Sequence, residues 1–370
     1  MTAPLVLLCA GGTGGHLFPA EALAHALKPM GFRIGLVTDE RALAYAKDFP
    51  ADEIHGVASA TFGSRSPLAL AQSAFKLTKG FTQSLWLIRA RKPAVLVGFG
   101  GYPTLPPAAA ASVLGTKIVL HEQNGVMGRA NRALAGRATL IATGFPLVRG
   151  VKPEWRSKML HVGNPVRPAV LAAASIPYPS TAPGFRFSLL VFGGSQGARV
   201  MSDVVPAALA LLPAEARARL HVVQQARPED VARVEAIYDS AGIAADIAPF
   251  FKDLPQRMAA AHLVVARSGA STVAELGVIG RPALLVPLPH SLDGDQAANA
   301  TQFAACGAAT LIQQSEFDGS QLRSMILDAL NDPAGLTRAA VAAKSAGIPD
   351  AADRLARNIA QLIGFEDKRP

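Results

Sequence analysis

The sequence predicts an α/β fold with two similar halves, each a parallel β-sheet covered by helices. Two observations lead to this prediction. A glycine-rich turn follows a short apolar run once in each half of the 370-residue chain, at 11–16 and again at 193–197. Apolar runs and helical patterns then alternate after each turn, which is typical of parallel sheets with helices on both faces. We therefore expect two Rossmann-like domains that face each other across a cleft.

The individual elements follow from this alternation. In the first half, strands are predicted at 5–9, 33–38, 94–98, 117–121 and 139–142, and helices at 17–29, 67–91, 104–114 and 126–136. In the second half, strands are predicted at 186–192, 219–224, 246–250, 262–266, 283–286 and 309–312, and helices at 316–346 and 351–363. Asp350 is the expected N-cap of the last helix.

A proline-rich break at 163–185 separates the two halves. The expected domains are therefore 1–163 and 164–346, with a C-terminal helix at about 347–370 that packs back on the first domain. Ligands of such sheets bind at the carboxyl ends of the strands, where the glycine turns fall.

The composition is that of a folded chain, because half of the residues are hydrophobic and only 17% are charged. Cys9 and Cys306 lie far apart in the sequence and predict buried, reduced thiols rather than a disulfide framework. The N-terminal apolar run lacks a charged segment before it and ends in glycines, so no signal peptide is expected. No apolar stretch approaches the ~18 residues that a membrane-spanning helix needs.

Positive charge is concentrated in one part of the chain. Between Ile54 and Pro153 there are twelve Lys or Arg residues and one acid, Glu122. The net charge of this segment is +11, and the rest of the chain carries −2, which together give the +9 of the whole chain. Such a field indicates an anionic partner, which could be a nucleic acid, a polyphosphate or an anionic membrane surface.

The glycine turns do not match the two common nucleotide-binding patterns. A dinucleotide fold needs glycines at i, i+2 and i+5. Leu17 occupies the last of these positions after the first turn, and Pro103 occupies it after Gly98 and Gly100. Neither Gly193 nor Gly194 has a glycine two residues on, and no turn continues into the Gly-Lys-Ser/Thr of a Walker A loop. A nicotinamide oxidoreductase is therefore not predicted.

His16 ends the first turn and opens a helix. A histidine at this place is expected to be exposed at the cleft, with a pKa lowered by the helix dipole, so that the neutral ring can accept a proton. The alternative is an ordinary polar residue in the first turn of a helix. The residues alone leave both interpretations open.

Two further segments have the composition of anion sites. The Gly100-Gly101-Tyr102 turn follows another strand of the first half and suits an acceptor that carries a diphosphate. In the second half, small residues follow the strand at 262–266 and lead into a helix, an arrangement that suits phosphate at a helix N-terminus. Glu275 lies in that helix, but Thr272-x-x-Glu275 is also the pattern of a capping box.

Taken together, these segments resemble the MurG family of GT-B glycosyltransferases, glycosyltransferase family 28. Seven motifs recur in the family's order between residues 11 and 299. They are 11–16 (Gly-Gly-Thr-Gly-Gly-His), 100–102 (Gly-Gly-Tyr), 121–124 (His-Glu-Gln-Asn), 163–167 (Gly-Asn-Pro-Val-Arg), 193–198 (Gly-Gly-Ser-Gln-Gly-Ala), 267–270 (Arg-Ser-Gly-Ala) and 295–299 (Asp-Gln-x-x-Asn).

The resemblance implies transfer of N-acetylglucosamine from UDP-N-acetylglucosamine to the 4-hydroxyl of N-acetylmuramic acid in lipid I, the undecaprenyl-diphosphate-linked pentapeptide precursor of peptidoglycan. It makes His16 the general base and Gly100, Gly101 and Tyr102 candidates for the acceptor diphosphate. The donor contacts that it implies are Thr13, Gly14, Gly15, Asn124, Arg167, Ser195, Phe251, Ala270, Ser271, Thr272, Val273, Ala274, Glu275 and Gln296. Among these, Glu275 would hold the ribose, Gln296 the sugar hydroxyls, and the Phe251 backbone the uracil.

The same resemblance implies an inverting displacement that needs no metal and no cofactor. Asp293-Gly294-Asp295 has the Asp-x-Asp form of metal-dependent transferases, but we interpret it as accidental. The rival function is another UDP-sugar enzyme of this architecture, such as a UDP-N-acetylglucosamine 2-epimerase. A non-enzymatic protein that binds nucleic acid is disfavoured, because the basic segment has few aromatic residues for stacking.

The basic segment gains an explanation from this function. Between Ser66 and Lys92, apolar residues that include Phe75 and Trp86 are interspersed with lysines and arginines, and there is no acid. We expect a partly exposed apolar patch, ringed by cations, that rests on anionic lipid at the cytoplasmic face of the inner membrane. The alternative is an amphipathic helix with a solvated basic face. Cell-wall or divisome proteins are further expected partners.

Overall fold

The structure is a computed structural model that describes residues 3–11, 14–39, 48–60, 66–194 and 197–366, without the side chains of 67–70 and 292. Two of the predicted donor contacts, Thr13 and Ser195, lie outside the described residues. The chain divides into two compact units. The first consists of Met1–Pro168 together with Pro349–Pro370, and the second is Ala169–Ile348.

The first unit is built on a parallel sheet with seven strands in its described part, in the order β3-β2-β1-β4-β5-β6-β7. The strands are β1 Leu5–Cys9, β2 Arg33–Thr38, β3 Glu53–Gly56, β4 Val95–Gly98, β5 Lys117–Glu122, β6 Leu140–Thr143 and β7 Met159–His161. The helices are α1 Gly14–Leu27, α2 Pro67–Arg91, α3 Leu105–Val113, α4 Arg129–Leu134 and the last helix of the chain, Ala351–Ile363. Short 3-10 turns occupy Lys28–Met30, Tyr102–Thr104, Ala135–Arg137 and Pro153–Lys158.

The second unit has a parallel sheet with six described strands, in the order β10-β9-β8-β11-β12-β13. These are β8 Phe187–Phe192, β9 Leu220–Gln225, β10 Ala244–Ala248, β11 Leu263–Ala266, β12 Ala283–Leu285 and β13 Ala309–Leu311. The helices are α5 Pro168–Ala173, α6 Arg199–Ala210, α7 Ala214–Ala218, α8 Val231–Ala241, α9 Leu254–Ala260, α10 Ala270–Ile279, α11 Asp295–Ala305, α12 Gly319–Asn331 and α13 Pro333–Ala346, so that Ala351–Ile363 is α14. A 3-10 turn lies at Leu292–Gly294.

Both sheets place their glycine turns where the strand order reverses. In the first sheet the chain runs outward from β1 through β2 and β3, then returns to the other side of β1 at β4. In the second sheet the chain runs outward from β8 through β9 and β10, then returns to the other side of β8 at β11. Crevices at such points are where open α/β sheets bind ligands. The α/β prediction with two parallel sheets is therefore confirmed.

The cores explain why these segments form these elements. Every residue of β1, β4 and β11 is buried, as expected for strands covered by helices on both faces. The last helix packs in the core of the first unit, where Leu355 and Ile359 are fully buried beside residues of α1 and β1. The ring of Phe365 extends this contact and lies 4.4 Å from the ring of Phe32.

Several sequence-based boundaries need correction. Strands β3 and β7 were not predicted, because they are short, partly exposed edge strands with little apolar pattern. Strand β10 begins two residues before the predicted 246. The predicted helix 316–346 is two helices, since Asp332 and Pro333 break it and the Asp332 side chain caps the second by accepting from the Gly335 N–H.

The N-cap prediction for Asp350 is confirmed in position only, and the prediction of two buried cysteines was wrong for one of them. Asp350 occupies the N-cap position of α14 but makes no capping hydrogen bond, because its carboxylate accepts from Arg354 Nε at 2.9 Å instead. Cys9 is buried as expected, whereas Cys306 is exposed where α11 ends.

Candidate active site

The first unit brings two of the predicted turns together around His16. The helix α1 begins at Gly14, so His16 lies in its first turn, and the ring is half-buried. A Cβ on Gly100 would lie 3.4 Å from the Cδ2 and Nε2 atoms of His16, and one on Gly101 would lie 3.6 Å from its Cε1 atom. The turn after β1 and the turn after β4 therefore meet at this ring.

Glycine is required at this contact for conformational reasons as well. Gly100 and Gly101 have φ values of +84° and +74°, which side-chain-bearing residues rarely adopt. The buried Thr104 hydroxyl secures the turn, because it donates to the Gly100 carbonyl at 2.7 Å. Tyr102 begins the 3-10 turn that follows and is half-buried.

His16 has the electrostatics of a neutral histidine. Burial lowers its pKa, and a hydrogen bond to the Gly11 backbone opposes this effect. The direction agrees with the sequence prediction, but burial rather than the helix dipole is the principal cause. Since a carbonyl only accepts, the ring donates one N–H to Gly11, and the other nitrogen of the neutral ring carries a lone pair.

Glu122 organises the segment that contains Asn124. Its carboxylate is buried, and burial raises its pKa against the opposing effect of several hydrogen bonds. Oε1 accepts from the Asn124 N–H at 3.1 Å, while Oε2 accepts from the Gly128 N–H and from Asn131 Nδ2, each at 2.8 Å. One carboxylate thus holds both the loop that carries Asn124 and the start of helix α4.

His121 links the same segment to the Gly163-Asn164 motif. Its ring is fully buried, and Nε2 donates to the Gly163 carbonyl at 3.0 Å, which leaves Nδ1 to accept from Gln123 Nε2 at 3.2 Å. Burial lowers the pKa of His121 to about 4. Asn164 closes the link, because its Nδ2 donates to the Gln123 carbonyl at 2.9 Å.

Arg167 lies against helix α1, on which His16 also lies. Its guanidinium carbon is 3.9 Å from the centroid of the Phe18 ring, an attractive cation–π geometry. The Arg167 charge also lowers the pKa of the nearby Glu21, although burial raises that pKa more strongly. Arg167 is therefore held by the helix that carries the candidate base.

In the second unit, a buried glutamine fixes the glycine turn after β8. A Cβ on Gly193 would overlap the backbone nitrogen of Ala198, so the turn closes only with glycine there. The Gly193 N–H donates to Gln225 Oε1, and Gln225 Nε2 donates to the Pro249 carbonyl, both at 3.1 Å. Gln225 thereby joins this turn to the segment that leads to Phe251.

Phe251 is half-buried and lies under the guanidinium of Arg257, whose central carbon is 4.4 Å from the ring centroid. Arg257 is itself held by Asp253, to which its Nε donates at 2.9 Å. The residue predicted to meet the uracil is thus part of an ordered turn before α9.

Helix α10 begins with the small residues that the sequence singled out. Its N-cap is Gly269, and Ala270 and Val273 are buried. Thr272 therefore lies inside the helix, which excludes the capping-box interpretation of Thr272 and Glu275. Glu275 is buried, and Ser271, Thr272 and Ala274 are half-buried. The Ser271 hydroxyl oxygen is shielded from solvent and has no hydrogen-bond partner within the described residues.

The segment that contains Gln296 is tied to the strand end before α10. Gln296 Oε1 accepts from the Leu288 N–H at 3.0 Å, and its backbone carbonyl accepts from the Ser268 hydroxyl at 2.9 Å. The neighbouring Asn299 donates to the Ser268 carbonyl at 3.1 Å. The hydrogen bond from the Leu288 N–H fixes the orientation of the Gln296 side chain amide.

Arg267 has a structural role in this unit. Its NH1 donates to the carbonyls of Val286 and Pro287 at 3.0 Å, so it joins the ends of β11 and β12. Within the described ranges, no group of three or more His, Cys, Asp or Glu side chains could hold a metal ion.

Family models match both halves of the chain. The glycosyltransferase family 28 N-terminal domain matches residues 6–143, and the family 28 C-terminal domain matches residues 188–355. The chain belongs to glycosyltransferase family 28. The resemblance found in the seven motifs is thereby confirmed.

Relatives extend the match over nearly the full length. A protein of Methylobacterium nodulans is 61% identical over 355 residues, which cover 95% of each chain. A protein of Agrobacterium fabrum is 54% identical over 357 residues, which cover 96% of this chain and 94% of that one. Both are named UDP-N-acetylglucosamine–N-acetylmuramyl-(pentapeptide) pyrophosphoryl-undecaprenol N-acetylglucosamine transferase.

The solved structures similar to this chain include a member of the same family and more distant enzymes that share the fold. The crystal structure of Acinetobacter baumannii MurG has a TM-score of 0.79 at 27% identity and covers 97% of this chain and 99% of that one. A UDP-N-acetylglucosamine 2-epimerase from Neisseria meningitidis has a TM-score of 0.66 at 11% identity, covering 96% of this chain and 100% of that one. The second likeness is one of fold alone.

Sequence reasoning missed two residues that organise the site. Glu122 was noted as the one acid of the basic segment and as part of a motif, but its role in holding the Asn124 loop was not predicted. Gln225 was missed altogether, although an amide side chain at the end of an apolar strand indicates a buried polar group that needs partners.

Proposed function

We propose that this protein is an inverting hexosyltransferase of peptidoglycan synthesis. It moves N-acetylglucosamine from UDP-N-acetylglucosamine to the 4-hydroxyl of N-acetylmuramic acid in lipid I and so produces lipid II. The observation that carries this proposal is the identity of more than half of the residues, over nearly the whole chain, to transferases of that name. The epimerases share only the fold, so the rival function has no comparable support.

The reaction is proposed to be a single in-line displacement at the anomeric carbon. The acceptor hydroxyl attacks one face of the sugar while UDP leaves from the other, so the configuration changes from α to β. The neutral ring of His16 takes the proton of the attacking hydroxyl. The half-buried position of this ring against Gly100 and Gly101, and its lowered pKa, suit that role.

The donor is proposed to bind chiefly to the second unit. Negative charge grows on the leaving diphosphate, and backbone N–H groups at the turn after β8 and at the start of α10 are suited to stabilise it. Phe251 would meet the uracil through its backbone, Glu275 the ribose and Gln296 the sugar hydroxyls. Residues Ala270–Ala274 at the start of α10 are further proposed donor contacts, among them the Ser271 hydroxyl, which has no hydrogen-bond partner within the described residues.

The first unit is proposed to add the remaining contacts. Gly14 and Gly15 approach the donor at the start of α1, and Thr13 and Ser195 keep their sequence-based assignments as donor contacts. Asn124, held by Glu122, and Arg167, held against Phe18, complete the donor set. Gly100, Gly101 and Tyr102 receive the acceptor diphosphate.

Helix α2 is proposed to rest on an anionic membrane surface. Phe75 and Trp86 are 71% and 78% exposed, whereas Ile88 belongs to the core. Lys76 and Lys79 are exposed on the same helix. No described helix is long and apolar enough to cross a membrane. We therefore place the enzyme peripherally at the cytoplasmic face of the inner membrane, where its lipid substrate lies, and contacts with cell-wall or divisome proteins stay a prediction.

A transfer assay tests the proposal. The protein is incubated with labelled UDP-N-acetylglucosamine and a short-chain lipid I analogue, and the expected product is the β-linked disaccharide lipid together with UDP. Hydrolysis or epimerisation of the donor without transfer would contradict the proposed reaction. Vesicle sedimentation with and without phosphatidylglycerol tests the membrane contact. Binding that ignores this lipid, or that survives replacement of both Phe75 and Trp86 by Ser, would argue against it.

A further inference from the structure

The first unit contains a groove between helix α4 and the 3-10 turn Pro153–Lys158. Its volume is about 760 Å³, which is in the range of small-ligand sites. The side chains that give it its character are Arg129, Arg132, Lys152, Glu154, Trp155 and Lys158. None of them is a residue proposed above for the donor, the acceptor, the base or the membrane helix.

The lining is strongly basic. Four cationic side chains face one carboxylate, and that carboxylate does little to neutralise them. The Glu154 Oε1 atom is 4.0 Å from Lys152 Nζ, and both side chains are more than 60% exposed, so this pair is weak. A groove with this charge attracts an anion rather than a neutral or cationic ligand.

Two of the cations are held in place by backbone carbonyls. Arg132 donates one N–H to the Met127 carbonyl at 2.8 Å, which leaves most of its guanidinium fork for a ligand. Lys158 Nζ donates to the carbonyls of Gly136 and Ala138 at 3.1 Å and 2.9 Å, which leaves its third N–H. Side chains anchored in this way lose less entropy when they bind an anion.

Trp155 gives the groove a rigid aromatic wall. The side chain is only 7% exposed and packs in the hydrophobic core beneath the sheet. Lys152 Nζ lies 5.3 Å from the centroid of this ring, where the cation–π attraction keeps the ammonium group at the groove. The wall fixes the shape of the groove while the cations supply its charge.

We propose that this groove binds a ligand that carries phosphate groups. The guanidinium fork of Arg132 matches phosphate geometry, and Lys152 and Lys158 add point charges to the same groove. The same chemistry is offered by a soluble polyphosphorylated molecule and by the headgroup of an anionic phospholipid. The proposal does not depend on the transfer reaction, because it concerns a separate set of side chains.

The two tryptophans of the chain, Trp86 and Trp155, allow a direct test. In a Trp86→Phe variant of the full-length protein, Trp155 is the only tryptophan and its fluorescence reports on the groove. This variant is titrated with inorganic pyrophosphate, and separately with vesicles of phosphatidylcholine that contain or lack phosphatidylglycerol. We expect a saturable change in Trp155 emission.

Paired substitutions assign the response to the groove. In the Trp86→Phe background, R132Q/K152Q should weaken binding about tenfold or more, since each removes a charge-assisted hydrogen bond. The matched control R186Q/R338Q removes the same charge from exposed positions of the second unit and should bind as before. If R132Q/K152Q fails to fold, K152Q alone serves, because Lys152 is 63% exposed.

The outcomes decide between the sources and can overturn the proposal. A response to pyrophosphate indicates a soluble phosphorylated ligand, and a response only to vesicles with phosphatidylglycerol indicates a lipid headgroup. The absence of a response to both probes overturns the proposal. Equal binding by R132Q/K152Q and by the control also overturns it.

Discussion

The two units present different chemical groups at the same topological position. Where the strand order of the first sheet reverses, a half-buried histidine with a lowered pKa packs against Gly100 and Gly101. At the corresponding point of the second sheet there are a glycine turn tied to a buried amide, that of Gln225, and the hydroxyl of Ser271. The first arrangement suits proton transfer, and the second suits the holding of an anion by fixed dipoles.

From this contrast we propose that the same architecture serves a different task in each unit. The two turns differ little in glycine content. The group next to the first turn is a titratable histidine, whereas the groups next to the second are an amide and a hydroxyl. The following predictions test whether the tasks are separable, beginning with the change expected to be most damaging.

Gly193→Ala should disrupt the second unit most strongly. The added Cβ would overlap the Ala198 backbone nitrogen, so the turn must open or the neighbouring helix must shift. We expect the free energy of unfolding to fall by about 3 kcal/mol, with loss of UDP-N-acetylglucosamine binding. The matched control is Gly269→Ala, where nothing lies within 4 Å of an added Cβ. Equal thermal stability of the two variants would refute this account of the turn.

His121 should make the first unit sensitive to acid. Its folded pKa is about 4, whereas the unfolded chain takes up the proton near 6.5. The stability due to the neutral ring is therefore complete above pH 6.5 and declines by about 3 kcal/mol as the pH falls to 4. His121→Gln can still donate to the Gly163 carbonyl and should flatten this decline in urea unfolding. His25→Gln, at an exposed position, is the control, and an unchanged pH slope in His121→Gln would count against the explanation.

Gln225→Ala should act on donor binding more than on turnover. It removes the bonds that join the Gly193 N–H to the Pro249 carbonyl, and with them the alignment of the turn and the Phe251 segment. We expect the KM for UDP-N-acetylglucosamine to rise about tenfold, with a smaller change in kcat. Gln224→Ala is the control, because Gln224 is also buried but bonds to Tyr238 and Met201 instead. A KM that rises equally in both variants would indicate general destabilisation.

Ser271→Ala should have the smallest effect and the most specific one. The hydroxyl has no partner within the described residues, so its removal costs the fold little. If this hydroxyl forms a hydrogen bond with UDP-N-acetylglucosamine, the affinity for that substrate should fall about three- to tenfold in the variant, which is the contribution of one hydrogen bond. Ser202→Ala, another buried hydroxyl without a described partner, should leave affinity unchanged. Unchanged affinity in Ser271→Ala would remove this residue from the donor site.

Much of the frame could be predicted from the sequence because its signals are local. Apolar runs bounded by glycine gave the strands that position the turns, and the spacing of glycines excluded a dinucleotide fold. The edge strands β3 and β7 were not predicted, since short and partly exposed strands show little apolar pattern in the sequence.

The organisation of the site was harder to predict because its bonds join distant parts of the chain. The Gln225 amide meets Gly193 across 32 positions, and the Asn164 amide meets Gln123 across 41. The cause of the His16 pKa shift was also missed, because the sequence shows the helix start but not how tightly Gly100 and Gly101 pack on the ring. Local patterns name candidate residues, whereas tertiary packing sets their chemistry.

The division of labour between the two units is tested most directly by His16→Ala. The Kd for UDP-N-acetylglucosamine, from calorimetry, and kcat, from the transfer assay, are measured on the same preparation. We expect an almost unchanged Kd and a kcat reduced by about 10²–10⁴-fold, because the variant keeps the donor site but loses the base. Near-normal turnover would contradict the role of His16, and a matching loss of donor affinity would contradict the separation of the two tasks.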